Sequence, residues 1–310
     1  MVSVVITTFY RNDELPGAIV SAKNQTYDDI EIVVVDGSGE EHAEEVASAY
    51  DVRYVSQDEN RGIAADRDLG VRTATHDLVH FLDDDDRLSE TAIERQIEVY
   101  DENPDIGVVY NGVRWESGHE VLPDPQIRGD VLKPALAFEM SPCLPSTMLV
   151  ERPLLTRVMP MAELPGDDGP VKIELAQLTD FEFVNAPLTQ KGDMENSLSS
   201  GGEDYETDES VRLSTIDYYS DLYEEVDPNL KQQALRRSHL LEAAVGLENN
   251  YWSLDSVRHM LLANYYSDGF DLECAAGLVA SLFGRPVWSF GRKLHTRFVL
   301  GDSHRGSIGK

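Results

Sequence analysis

The chain has 310 residues, with 57 Asp and Glu against 26 Lys and Arg, for a formal net charge of −31. That length allows one large domain, or a domain with a smaller appendage, and is ample for a buried core. A charge this negative excludes bulk electrostatic binding of nucleic acid, which needs a basic surface. A hydrophobic content of 41% argues for a folded chain in spite of the charge.

The first 110 residues alternate between strand and helix periods. Val2 to Phe9 is a nearly continuous apolar run, which suits a strand covered on both faces. Asp13 is placed to cap a helix whose Leu15, Ile19 and Ala22 share a face. Ile30 to Val35 reads as a second buried strand ending at Asp36, followed by a Gly37-Ser38-Gly39 turn and a helix through Ala43, Val46 and Ala47. Val52 to Val55 is a third strand, Gly62 to Thr73 a helix, and Leu78 to Leu82 a fourth strand running into Asp83-Asp84-Asp85-Asp86. Ser89 is then placed to cap a helix carrying Ile93, Ile97 and Tyr100. Such alternation with short connections predicts βαβ units in a mainly parallel sheet, whose ligands bind beyond the carboxyl ends of the strands. Phe9, Asp36 and Asp83 all fall at those ends.

Beyond Ile106 the pattern changes. Gly107 to Trp115 and Ser146 to Glu151 read as strands, and Pro123 to Pro125 as a loop. Pro165 to Pro170 is a turn before a short helix, Val171 to Leu178, and Phe181 to Val184 and Leu188 to Lys191 are short extended pieces. Ser199 to Asp204 is the best linker, which places a first domain at 1–205 and a helical region at 206–310. Helices are expected near 211–226, 228–249, 253–266, 271–284 and 287–300.

Carboxylates converging at a strand end make a hard-oxygen site suited to Mg²⁺ or Mn²⁺. The alternative for Asp83 to Asp86 is a solvated acidic turn. Asp36 can accept hydrogen bonds from a ribose or a base edge, or simply open an Asp-Gly turn. Asp167-Asp168 could offer a base to an acceptor hydroxyl, or be a surface turn. Cys143 and Cys274 are the two cysteines, and no zinc-type Cys/His spacing is present. The N-terminus has neither the basic region nor the apolar stretch of a signal peptide, and no run reaches membrane-spanning length.

Taken in order, these stretches resemble the family 2 glycosyltransferases, which have the GT-A fold. Val2-Ser3-Val4-Val5-Ile6-Thr7-Thr8-Phe9 is similar to the family's opening strand. Ser21-Ala22-Lys23-Asn24-Gln25-Thr26-Tyr27 resembles its S-x-x-x-Q-T-Y stretch, and Glu31 to Gly39 its strand ending in D-D-G-S. Asn60-x-Gly62 leads into a helix like that of A-R-N-x-G, and Leu78 to Asp86 resembles the strand ending in D-x-D. The resemblance implies an inverting transferase using a nucleotide-diphosphate-sugar donor. It implies that Thr7, Phe9, Asp36, Arg67 and Asp84 hold the nucleotide, and that Asp83 and Asp85 hold Mn²⁺ or Mg²⁺ on the diphosphate. Gly166-Asp167-Asp168 resembles a G-E-D segment, which makes Asp168 the expected base. Gly37 stands where the family has its second aspartate, Asp66 and Asp68 flank Arg67 in place of alanine and asparagine, and Met194 or Asp193 stands where the family has histidine.

Nineteen Arg against seven Lys, with acids spread along the chain, resembles the cytosolic proteins of extreme halophiles, which implies a haloarchaeal type. Salt at 1 M screens such self-repulsion within about 3 Å. Residues 285–310 carry +5 against −36 for the rest. Val287, Phe290, Gly291, Leu294 and Phe298 fall near one face of the last helix. That describes either a basic amphipathic helix on an anionic membrane or one packed on the acidic domain. The membrane reading suggests a lipid-linked (polyprenyl phosphate) saccharide acceptor, surface-protein N-glycosylation, and a peripheral place on the cytoplasmic face of the cell membrane. Alternatives are direct transfer to polyprenyl phosphate and a non-catalytic nucleotide-sugar-binding scaffold.

Overall fold

The structure, a computed structural model, describes residues 1–160, 168–192, 208–249, 252–267 and 272–283. The expected turn at 165–167, Asp167 with it, the linker at 199–204, Met194 and the basic helix at 287–300 lie outside the described residues. The chain divides into two compact units, Met1–Tyr205 and Glu206–Lys310.

The first unit opens with β1 (Val2–Thr8), α1 (Leu15–Lys23), β2 (Ile30–Asp36), α2 (Glu44–Ala49), β3 (Arg53–Ser56), α3 (Ile63–Thr73) and β4 (Leu78–Asp83). β1 pairs in parallel with β2 and β4, and β2 with β3. All seven residues of β1 are buried, the mark of a central strand with helices on both faces. Register places Thr7 beside Asp83 and Thr8 beside Asp36, so the residues singled out in three strands meet along one edge.

The second half of this unit adds β5 (Arg87–Leu88), α4 (Ala92–Glu102), β6 (Ile106–Trp115), β7 (Glu120–Val121), α5 (Leu132–Leu136), a 3₁₀ turn at Pro145–Thr147, β8 (Met148–Glu151), α6 (Arg152–Val158), α7 (Asp168–Ala176) and β9 (Asp180–Lys191). The sheet runs β3-β2-β1-β4-β8-β6-β9-β5, with β7 on β6. β8 enters antiparallel between β4 and β6, so the parallel half gives way to a mixed half.

Several local expectations are corrected. Asp13 does not cap α1: the N-cap is Glu14, in helical conformation and without a side-chain cap bond. Ser89 likewise lies before the cap of α4, which is Thr91. Its carbonyl instead accepts from Gln25 and from the Ala92 N–H. The two extended pieces around Ala186 are one strand, β9, because register shifts against β6 absorb the Asn185–Pro187 interruption. A bulge tolerates the proline that a regular ladder would reject.

The second unit is helical: α8 (Asp208–Tyr218), α9 (Ser220–Val226), α10 (Pro228–Asn249), α11 (Leu254–Tyr265) and α12 (Leu272–Phe283). The single helix expected over 211–226 is two, broken at buried Tyr219, whose ψ of 20° leaves the helical track. Ser253 caps α11 by accepting from the Ser256 N–H. Among the described residues, no helix is long and apolar enough to cross a membrane.

A buried polar chain supports the sheet behind the acidic edge. Gln96 of α4 donates to Asn111 Oδ1 and to the Thr147 carbonyl, both at 2.9 Å. Asn111 donates to Thr189 Oγ1 at 2.9 Å, and Thr189 to the Ser146 carbonyl at 3.0 Å. Ser146 Oγ in turn accepts the Asp83 N–H at 3.1 Å. Gln96, Asn111, Thr189 and Ser146 are fully buried. Asn111→Ala should therefore cost about 1–3 kcal/mol by removing one buried hydrogen bond from each of Gln96 and Thr189, measured by denaturant unfolding of the full chain.

Candidate functional site

Four consecutive carboxylates at the end of β4 would repel one another if they pointed the same way. The turn distributes them among partners from different elements. Asp83 Oδ1 accepts from Arg67 Nη2 of α3 at 2.9 Å, and its Oδ2 lies 3.6 Å from Lys191 Nζ of β9. Asp84 accepts from Thr8 Oγ1 at 2.7 Å and from Arg11 at 3.3 Å. Asp85 accepts from Arg11 at 2.6 Å. Asp86 accepts from Lys191 Nζ at 2.5 Å and from the Gly192 N–H at 3.2 Å. Asp86 is fully buried and Asp84 nearly so.

The protonation behaviour follows from these partners. Burial opposes ionisation of Asp83, but Arg67 and Lys191 overcome it and hold the group below the usual carboxylate range. Burial pushes Asp84 up to about 7, with Thr8 and Arg11 offsetting part of the rise. Burial also raises Asp86, against the pull of Lys191. Lys191 is lowered by burial and raised further by Asp86 and Asp83, so it stays charged. Lys191 and Arg11 are functional-edge residues that the sequence reading missed.

Asp83, Asp85 and Asp86 each offer one carboxylate oxygen, and these lie within 4.8 Å of one another. Asp83 and Asp85 keep 30% and 21% side-chain exposure, so the cluster opens toward solvent. Three hard oxygens with room for water fit Mg²⁺ or Mn²⁺. The expected pair Asp83 and Asp85 is thus brought together, with Asp86 as a third ligand candidate. Asp84 turns away to Thr8 and Arg11.

The nucleotide-side residues fall into two groups. Thr7 and Phe9 lie at the end of β1, Thr7 buried and Phe9 half-buried with its ring edge-on to Tyr10 at 4.8 Å. Asp36 is fully buried, and its carboxylate is already engaged. It accepts from the Ser38 N–H, the Ala43 N–H and the Tyr54 hydroxyl, each at 2.8 Å. Asp36 thus anchors the loop that follows it, as the Asp-Gly turn reading allowed. A different carboxylate stands beside it. A Cβ on Gly37 would overlap the Asp66 carboxylate, so the absence of a side chain at 37 is what makes room for Asp66. Asp66 is buried, hydrogen-bonded by Gln57, and its Oδ1 has no protein partner. The two departures from the family pattern, Gly37 and Asp66, are one structural event.

Asp168 opens α7, with Pro170 in the first turn, where a missing N–H costs nothing. Its carboxylate lies 3.5 Å from Arg67 Nη1 and is half-exposed. The same guanidinium sits 5.8 Å over the Phe81 ring. A residue 85 positions from Asp83 in sequence is thereby joined to it through one arginine.

Burial, with some relief from Gln57, raises the Asp66 carboxyl to about 6. The folded chain thus binds a proton there more tightly than the unfolded chain. The stability this contributes is full below about pH 4 and is lost as pH rises through about 6. Asp66→Asn should remove a decline of about 3 kcal/mol over that window, read from unfolding curves at each pH. Gly37→Ala should destabilise the chain through its overlap with Asp66, and Asp66→Ala in the same chain should relieve most of the loss.

Residues 3–151 match the family model described as glycosyl transferase family 2. An uncharacterized glycosyltransferase of Haemophilus influenzae is 24% identical over 78% of this chain and 83% of its own length. A glucosyl-dolichyl phosphate glucuronosyltransferase of Haloferax volcanii is 33% identical over 40% of this chain and 39% of its own. Among solved structures, S. aureus TarS 1-349, crystallised in complex with UDP-GlcNAc, superposes with a TM-score of 0.61 at 16% identity, covering 94% of this chain and 91% of TarS. The Pyrobaculum calidifontis mannosyltransferase PcManGT, in complex with GDP-Man and Mn²⁺, gives 0.54 at 15% identity over 96% and 81% of the two chains. At these identities the structures speak to the fold alone. The fold is therefore that of the GT-A neighbours, and residues 3–151 within the first unit are similar to glycosyl transferase family 2.

Proposed function

We propose that this chain is an inverting glycosyltransferase that moves a sugar from a nucleotide-diphosphate donor to a lipid-linked saccharide, as in surface-protein N-glycosylation. The observation that carries the transferase reading is the Arg67 bridge. One buried guanidinium joins Asp83 of the acidic strand end, 2.9 Å away, to Asp168, 3.5 Å away. A donor's diphosphate and an acceptor's hydroxyl must meet within such a span.

In this mechanism Thr7 and Phe9 border the nucleoside at the end of β1, and the Asp36-anchored loop closes beside it. Asp83, Asp85 and Asp86 would hold a divalent cation, which when bound would supply positive charge to the leaving diphosphate. Arg67, Arg11 and Lys191 add fixed cationic charge around the same edge, where negative charge develops as the glycosidic bond breaks. Asp168, half-exposed at the start of α7, takes the proton from the acceptor hydroxyl as it attacks the anomeric carbon. Attack from the side opposite the leaving group inverts the configuration.

The lipid-linked acceptor is supported by the glucosyl-dolichyl phosphate specificity named for the haloarchaeal relative and by the +5 charge of residues 285–310. The same charge supports a peripheral position on the cytoplasmic face of the membrane, and the acidic, lysine-poor composition supports function in molar salt.

Calorimetric titration with UDP-, GDP- and dTDP-sugars in molar KCl and Mn²⁺ should find one donor whose binding is lost in Asp85→Ala. Asp168→Asn should keep donor affinity and slow transfer by at least about 100-fold. Transfer to a preformed lipid-linked sugar, with none to free polyprenyl phosphate, is the expected acceptor result. The reverse preference would reassign the acceptor, and donor binding without any turnover would make the protein a binding module.

A further inference from the structure

The helical unit contains a second cluster of ligating side chains, unconnected to the nucleotide-sugar chemistry. Glu209 lies in the first turn of α8, His239 in the middle of α10 and His259 in α11. His239 is buried and His259 is about nine-tenths buried. Their Nδ1 atoms face one another at 3.2 Å. Both also face the same carboxylate oxygen, Glu209 Oε1, which is 2.9 Å from His239 and 3.3 Å from His259.

These three atoms form a nearly equilateral triangle. In a tetrahedral zinc site with bonds of about 2.0–2.1 Å, neighbouring ligand atoms are about 3.3–3.4 Å apart. The triangle is within a few tenths of an ångström of one face of that tetrahedron. An ion about 1 Å above its plane would reach all three donors at about 2 Å. Two imidazole nitrogens and one carboxylate are also the donor types that zinc takes from proteins.

The surroundings hold the donors in place. The His239 ring stacks on Tyr266, with centroids 5.7 Å apart and planes 18° apart. Three residues beyond Glu209, Arg212 of α8 donates to Ser238 Oγ at 3.0 Å and pairs with Glu242, both on α10. That clamp fixes the α8–α10 contact on either side of His239. The Glu209 side chain retains 21% exposure, which leaves solvent access for a water as fourth ligand.

We propose that Glu209, His239 and His259 bind a zinc ion that pins α8 to α10 and α11. Three helices brought to one point by a single ion gain stability whenever the folded chain binds it and the unfolded chain does not. The role is structural, and it is independent of the glycosyltransferase reading.

The test uses the full-length chain carrying Asp85→Ala, which weakens the carboxylate cluster of the first unit. After chelator treatment and dialysis, the protein is titrated with Zn²⁺ by calorimetry and with Co²⁺ by visible absorption. One equivalent of zinc should bind, Co²⁺ should give the intense visible bands of four-coordinate geometry, and zinc should raise Tm. His259→Gln and Glu209→Gln, each checked for helix content by circular dichroism, should weaken zinc binding at least about 100-fold and abolish the Tm rise. A folded parent that takes up no zinc makes the cluster a histidine–carboxylate hydrogen-bond network and overturns the proposal. Folded variants that bind zinc as the parent does overturn it equally. Should His259→Gln fail to fold, the conservative Glu209→Gln decides.

Discussion

The pairing of the Asp83–Asp86 carboxylates with Arg67, Arg11 and Lys191 is the constraint on which the first unit's active edge depends. Carboxylates on consecutive residues, two of them almost wholly buried, would not ionise together without cations close by. Each cation comes from a different element: Arg11 from the β1–α1 connection, Arg67 from α3, Lys191 from the end of β9. The edge is therefore complete only when the sheet has closed from β1 to β9. Folding and assembly of the charged site are one event.

The same edge explains how a chain with this much negative charge forms a tight acidic centre. The cations do not neutralise the surface at large; they converge on one turn. Asp83 is held ionised by Arg67 and Lys191, while burial raises Asp84 to about 7 against the pull of Thr8 and Arg11. Adjacent carboxylates with separated protonation behaviour let one cluster offer charged oxygens on its solvent side without accumulating four full charges. Behind it, the Gln96–Asn111–Thr189–Ser146 chain fixes the backbone of Asp83. Polar groups inside the sheet give the strand end its position as well as its charge.

The sequence was most legible where local pattern and global fold agree. The apolar runs of β1, β2 and β4 and the helices between them follow from period alone, because a parallel strand is buried on both faces and a crossover helix on one. Beyond residue 106 the strands lie in a mixed half-sheet, and β9 carries bulges and a proline. There, local signals divided one strand into two. The Asp13 and Ser89 caps failed for a related reason: capping chemistry identifies a competent residue, but the backbone entering the helix decides whether it is used.

By itself, the sequence determined the alternation of the first hundred residues, and with it that Phe9, Asp36 and Asp83 fall at the carboxyl ends of strands on one sheet edge. Strand order and the parallel rule suffice for that, since neighbouring strands in register carry their ends to one side. Only the tertiary structure decided that Lys191 meets Asp86 across 105 residues, that Asp168 reaches Arg67, and that Asp66 fills the space left by Gly37. It alone brought Glu209, His239 and His259 from three helices to one point. The reason is the range of the interactions. Periodicity is set by contacts a few residues apart, whereas charge pairing and ligand geometry depend on ångström distances between segments whose separation along the chain carries no record of them.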